Sequence, residues 1–501
     1  MKLKPSKCRS FSLARGSPKK VSYFIGEDKV PSIAEQEQKF LGKIIFYTGK
    51  SKETLNFLKE TFTTKLDNIE KTLVRNEYKL WIYVHYFLPS IRFLLTVYTI
   101  TSTDLNTLDR LTHKYMKKWS GLPQCATNSI FHSKHSLNIQ SISSLYDKAH
   151  CVSHTRTRLL GDKAVNHVLD CSVNRESLWT RKKSVTVRAE NVFQKALEGN
   201  TVFGMIPEGE GWEEKAEEVR NNITQYVKHC VKYDNEKVHT EHVAKLAKQG
   251  KLLELANIQK NDLTWKSYIF NLKKNTLKFV LNSTLDTLPS NSNLFQWGKA
   301  PSDKCKNCGG RETTSHILVG CPTSLNQGRF TYRHDNILHY VANSLDKSKY
   351  ECFIDIPGHQ TSNNGTIPSD ITITADRPDI VIINRKDKIV YIFELTACFE
   401  MNISTRHTFK ENKYAYFLTD IKNFTTTVIA FEIGARGYVT RENCDRLKLL
   451  RKFCKKGIKA KKFIENISAI AVNSSYLIFI NRKEPNWSTE IPPLLPPFKD
   501  D

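Results

Sequence analysis

Four residues in CKNCGGRETTSHILVGC have the types and spacing of a metal shell: Cys305, Cys308, His316 and Cys321 follow the pattern C-x2-C-x7-H-x4-C. Two thiolates one turn apart, a glycine pair that bends the chain, and a His and a Cys returning at short spacing can close a tetrahedral zinc site. The alternative is four packed residues with accidental spacing, and the tightness of the cluster weighs against it. A knuckle this short either grips nucleic acid or staples a turn, and spacing alone does not choose.

A second set lies in RPDIVIINRKDKIVYIFELTACFE, residues 377–400. Two apolar runs flank a polar turn at Arg385–Lys388, which predicts a hairpin. That turn sets Asp379 opposite Glu394, with their Cβ atoms roughly 5 Å apart on one face. Facing like charges destabilise a hairpin, and Ile380 to Ile383 with Tyr391, Ile392 and Phe393 predict strands buried on both faces. A divalent cation is the simplest compensation. Oxygen donors at that spacing suit catalytic Mg²⁺, which also binds phosphate oxygens and activates water. A shifted register, or a carboxylate reaching solvent at a strand end, would remove the need for it.

The elements that must position these groups are embedded in a chain of 501 residues with a net charge of +25, long enough for several domains with cores of their own. Lys and Arg are spread along the length, so several basic surfaces are expected and nucleic acid is the default partner; solubility or an anionic membrane would also account for the charge. The start, MKLKPSKCRSFSL, lacks the apolar run of a signal peptide, and LWIYVHYFLPSI reads as too short and too flanked by charge to span a bilayer. An intracellular, nuclear protein with reduced thiols and no membrane partner is expected.

Along the chain, SFSLARGSPKKVSYFI predicts a β-hairpin, with Phe11 and Leu13 answering Val21, Tyr23 and Ile25 across Gly16-Ser17-Pro18. In DLNTLDRLTHKYMKKW, Leu105, Leu108, Leu111, Tyr115 and Trp119 form a helical stripe, and Arg110, Lys114, Lys117 and Lys118 lie off it as a basic face that is either solvated or phosphate-binding. A helix opening on the acidic PEGEGWEEKAEE and another over 264–285 fill the middle. Beyond residue 350, Pro, Gly, Ser and Asn punctuate 357–370. Strands and helices then alternate, with a helix over 403–418, a strand over 431–438 and a helix over 442–454, before the proline-rich tail IPPLLPPFKDD.

Asp379 after Pro378, then Glu394, Leu395 and Thr396, is similar to the PD-(D/E)xK motif of restriction-like endonucleases, with Thr396 where a lysine is expected. Together with HTFKENKYAYFL and FEIGARGY, the segment resembles the endonuclease at the C-terminus of site-specific non-LTR retrotransposon polyproteins. That resemblance implies a lysine moved to the following helix in a KxxKY pattern, here Lys410, Lys413 and Tyr414. The zinc cluster and YRHDNI resemble the linker of those proteins, implying nucleic-acid contacts by Arg333 and His334. LPSIRFLLTVYTI and LDRLTHKYMKKWSGLP resemble the thumb of the reverse transcriptase, and KCRSFSLARGSP the segment just before it.

The resulting expectation is an α+β multidomain chain: an N-terminal β-hairpin left from the polymerase palm (1–50), a helical thumb (51–150), a helical linker (151–300), the zinc knuckle with its Arg-His segment (301–345), an α/β restriction-like endonuclease domain (346–485) and a tail (486–501). Asp379 and Glu394 would hold Mg²⁺ and Lys410 or Lys413 would steady the transition state, nicking a DNA target for target-primed reverse transcription with the element RNA as second partner. Zinc would be structural. No YxDD-type sequence occurs, so no polymerisation is expected. The alternative is a catalytically inactive RNA- or DNA-binding remnant of the same polyprotein. The sequence assigns no oligomeric state.

Overall fold

The computed structural model describes residues 4–15, 17–33, 35, 38–40, 42–46, 51–174, 184–199, 213–356, 367–374 and 376–487. Gly16 of the expected turn, 207–212 of the acidic helix start, 357–366 of the punctuated stretch and the tail from 488 lie outside the described residues. The protein is α+β, mostly helical with small sheets. It divides into two units, Met1–Trp119 with Ile139–His239, and Ser120–Asn138 with Thr240–Asp501. The zinc cluster and the carboxylate strands thus share one unit with residues from 240 onward, across the boundaries expected at 300 and 345.

In the first unit the expected N-terminal hairpin region is present as three short antiparallel ladders, with a tighter register than the one expected. Leu13–Ala14 pairs with Ser17–Pro18, Tyr23–Ile25 with Asp28–Val30, and Gln38–Phe40 with Lys43–Ile45. Tyr23–Ile25 turns back at once because Gly26, at φ 65°, opens a two-residue loop that matches strand twist. Helices follow at Ser51–Lys71, Asn76–Ile82, Leu88–Val97, Ser102–Ser120, Ile142–Leu159 and Val185–Gly199. A π-turn over Tyr83–Phe87 carries the second into the third past Pro89, whose missing N–H falls in the first turn of Leu88–Val97.

This continuity makes Asn76–Val97 a 22-residue helical run, one of two among the described residues that are long and apolar enough to cross a membrane, where the sequence suggested a segment too short. The other, Ala460–Ile480, is 72% buried inside its own unit over its apolar window, as a core helix is.

The second unit centres on a mixed four-stranded sheet: β1 (Glu351–Ile354), β2 (Ile380–Asn384), β3 (Ile389–Cys398) and β4 (Thr425–Gly434), in the order β4-β3-β2-β1. The first three strands form an antiparallel meander, and β4 returns parallel to β3. Helix α1 (Arg329–Ser344) precedes the sheet, α2 (Ile403–Tyr414) makes the crossover, and α3 (Arg441–Arg451) and α4 (Ala460–Ile480) follow.

Ile and Val runs serve both faces. Ile380, Ile382, Phe393 and Leu395 pack with α1, α3 and α4, whereas Val381, Ile383, Val390 and Ile392 pack with Tyr414, Phe417 and Ile421 on the α2 side. The strand expected at 431–438 instead spans Thr425–Gly434, because its pairing is set residue by residue by β3. The helix expected over 403–418 stops at Tyr414, and that over 442–454 spans Arg441–Arg451. The segment expected as one helix over 264–285 is two 3₁₀ turns followed by Lys274–Thr284.

Candidate functional site

The β2–β3 ladder pairs Ile380 with Phe393, which places Asp379 opposite Glu394 just beyond the last ladder residue. The pair is tied through its own backbone: the Asp379 N–H donates to Glu394 Oε2 at 3.1 Å, and the Leu395 N–H donates to Asp379 Oδ2 at 2.7 Å. Glu394 alternates with Phe393 and Leu395, so it lies on the α2 face, and both carboxylates are buried, at 8% and 2% exposure.

Two cations from other elements reach this pair. Lys410, on α2, donates to Glu394 Oε1. His334, on α1, has Nε2 at 3.3 Å from Asp379 Oδ2 and Nδ1 at 3.1 Å from Asp335 Oδ1. Burial and then the charge of Asp379 push the Glu394 carboxyl above its ordinary range, with Lys410 opposing them. Burial works against a charged His334, but the hydrogen bonds and charges of Asp335 and Asp379 outweigh it and raise the imidazole to about 10. The sequence argument for an ion rested on uncompensated like charges. In the folded chain Lys410 and His334 already supply positive charge, so electrostatics permit a divalent ion without demanding one.

Lys413 points elsewhere. Its ammonium donates to the Tyr414 hydroxyl at 2.8 Å and stands 4.4 Å from that ring's centroid. Tyr414 is buried between the helix and the carboxylates, and burial followed by the charges of Glu394 and Asp379 raises its phenol. Of the two candidate lysines, the fold brings Lys410 to the site.

One strand over, Glu432 faces Thr396 across the parallel ladder and is fully buried. Its Oε1 lies 3.0 Å from His407 Nδ1, and Arg446 on α3 approaches both His407 Nε2 (2.9 Å) and Glu432 Oε2 (3.7 Å). His407 precedes Lys410 by three residues on α2, so the helix meets the sheet through one polar contact on each of two adjacent strands. The GARG turn after β4 is pinned separately: Arg436 pairs with buried Glu400, and a Cβ on Gly434 would collide with that carboxylate, so only glycine fits.

The donor atoms of Cys305, Cys308, His316 and Cys321 lie within 4.8 Å of one another, a set that can hold zinc. The loop closes because the Cys305 N–H donates to Gly310 O at 2.6 Å and Gly309 takes φ 72°. Burial pushes Cys305 up to about 11, while at Cys321 the hydrogen bonds of Ser324 and of the two other thiols overcome burial and lower it. Burial also favours a neutral His316, the ligand form. All twelve cysteines are free thiols.

The remaining sequence-derived candidates separate by exposure. Arg333 is fully buried, its guanidinium bonded to Leu318 O, Ser475 Oγ and Ala397 O, which removes it from any phosphate-binding surface. His334 belongs to the carboxylate site instead. On the helix Ser102–Ser120, Arg110 and Lys114 are exposed, Lys118 is exposed but paired with Glu70 at 2.7 Å, and Lys117 is buried at 7% exposure and leaves the basic face. Glu432 and His407 escaped the sequence reading; a Glu inside the apolar run AFEIG was the one available signal. The chain matches no protein-family model and no curated protein.

Proposed function

We propose that this chain is a metal-dependent DNA endonuclease, the C-terminal portion of a site-specific non-LTR retrotransposon polyprotein. The observation that carries the reading is the convergence of Asp379, Glu394 and Lys410 from two adjacent strands and the following helix. Mg²⁺ fits the donor set: two buried carboxylates with hard oxygens on one face, where the like charge of Asp379 adds to burial in raising Glu394. When bound, Mg²⁺ would polarise a phosphate oxygen and acidify water. Lys410 would steady charge developing on the phosphate, His334 would hold Asp379 Oδ2 in place, and buried Tyr414 would exclude bulk solvent beneath α2. The substrate class is DNA, with element RNA as a second partner and the nucleus as the place of action.

The test is nicking of supercoiled plasmid by zinc-loaded protein in Mg²⁺, beside Asp379→Ala. Nicking by the parent that EDTA and Asp379→Ala both abolish is the expected result. A second reading, a nucleic-acid-binding remnant, is favoured by the charge compensation that Lys410 and His334 already provide. It expects binding with steep salt dependence and no cleavage with any divalent ion. Absence of nicking from protein that binds DNA overturns the first reading in its favour.

A further inference from the structure

Arg333 is an expensive residue for its place. Its side chain is fully buried, yet its hydrogen-bond partners among the described residues are neutral oxygens: Nη1 donates to Leu318 O at 2.9 Å and to Ser475 Oγ at 3.1 Å, and Nη2 donates to Ala397 O at 3.2 Å. Burial lowers even this guanidinium, to about 10. The Glu400 carboxylate opposes that burial from a distance but makes no hydrogen bond to the guanidinium among the described residues. A buried charge hydrogen-bonded by neutral acceptors costs more than an apolar side chain of similar volume, so filling space does not account for it.

Its acceptors do. Leu318 lies in the π-turn His316–Gly320, between the zinc-ligand residues His316 and Cys321. Ala397 lies on β3, three residues beyond Glu394. Ser475 lies on α4 and itself donates to Ala435 O, just past β4. The planar fork of one arginine thus joins the zinc turn, the carboxylate strand and the core helix, which a single ammonium could not do with the same geometry. The next residue, His334, holds Asp379.

We infer that the zinc knuckle is a mechanical part of the carboxylate site, with Arg333 as the positioning residue that transmits the order of the zinc turn to β3. With zinc bound, His316 and Cys321 fix both ends of a five-residue turn and hold the Leu318 carbonyl against Arg333. Without it the turn loosens, Arg333 is deprived of an acceptor in a dry site, and the Ala397 end of β3 is no longer tied. Leu395, whose N–H fixes Asp379, is two residues away. The consequence for cleavage rests on the nuclease reading; the link itself is measurable without cleavage.

The experiment is amide hydrogen exchange on the full chain without Mg²⁺, before and after zinc removal verified by metal analysis, and on zinc-loaded Arg333→Met and Arg333→Lys. The expected result is exchange at least about tenfold faster over 395–398 on zinc removal and in Arg333→Met, with 381–383 of β2, whose β3 partners are 390–392, unchanged and Arg333→Lys intermediate. Unchanged protection at 395–398, or acceleration spread evenly over every strand, overturns the inference. Nicking is followed alongside. Arg333→Met should lower kcat about tenfold or more at unchanged KM for DNA while retaining zinc, and weaker DNA binding at unchanged kcat overturns the positioning role. If the parent does not nick, the nuclease reading fails, and the exchange data still decide the coupling.

Discussion

Nε2 of His334 lies 3.3 Å from Oδ2 of Asp379 while Nδ1 of the same ring lies 3.1 Å from Oδ1 of Asp335, so one imidazole bridges two carboxylates. Because its folded-state value is raised to about 10 from an ordinary 6.5, the charged ring contributes stability that is fully present below about pH 6.5 and is lost as pH rises through about 10. Metal-free protein should therefore show a falling melting temperature between pH 7 and pH 10, and His334→Gln should flatten that limb. Thermal unfolding across the pH series checks it; a variant with the parent's slope contradicts the bridge.

Lys410 and Lys413 should separate cleanly. Lys410 contacts Glu394 from a position 23% exposed, whereas Lys413 is exposed and bonded to Tyr414. Lys410→Ala is expected to lower kcat for nicking by about 10²–10³, the scale of removing one transition-state donor. Lys413→Ala should cost less than about tenfold and act mainly on KM. Steady-state nicking kinetics of the two variants decide the assignment, and the opposite order reverses it.

The site's geometry was half legible in the sequence. A turn at Arg385–Lys388 fixes hairpin register by itself, so Asp379 opposite Glu394 followed from counting, and unbroken Ile and Val runs announced strands buried on both faces. What failed depended on partners distant in the chain. Thr425–Thr427 lay outside the strand expected at 431–438, and pairing with Ile389–Tyr391 is what makes it strand. Lys117 lay off the helical stripe but is covered by a second packed surface that periodicity on one helix does not register. His334 reaches Asp379 across a long stretch of intervening chain, which no local pattern encodes. The Gly26 turn was a missed local signal, since Gly followed by one residue closes a tighter hairpin than the one expected.

Helix α2 buries only Ile403 and Tyr414 of its twelve residues, so apolar packing alone holds it weakly over the sheet. The His407–Glu432 hydrogen bond is its second attachment, and His407→Ala should let Lys410 wander. A kcat reduction of about tenfold at unchanged KM, with a destabilisation of about 1–2 kcal/mol, is expected. Glu432→Ala should cost more, about 2–4 kcal/mol, because it strips both His407 and Arg446 of a fully buried carboxylate. Chemical denaturation and kinetics on both variants test the order.

The basic face of Ser102–Ser120 offers a test of binding that is independent of the carboxylates. Only Arg110 and Lys114 combine exposure with no acidic partner in an ion pair among the described residues; Lys118 is paired to Glu70, and Lys117 is inside. If this face meets phosphates, removing Arg110 and Lys114 together should reduce the slope of log Kobs against log salt by about 0.9 for each phosphate no longer neutralised, up to about 1.8, and leave the melting temperature unchanged. Lys117→Ala should do the reverse, lowering stability at unchanged slope, because its side chain is already enclosed by protein. Fluorescence anisotropy of a labelled duplex across a salt series measures both. A slope indifferent to the double substitution would assign the face to solvation and leave nucleic-acid binding to the second unit.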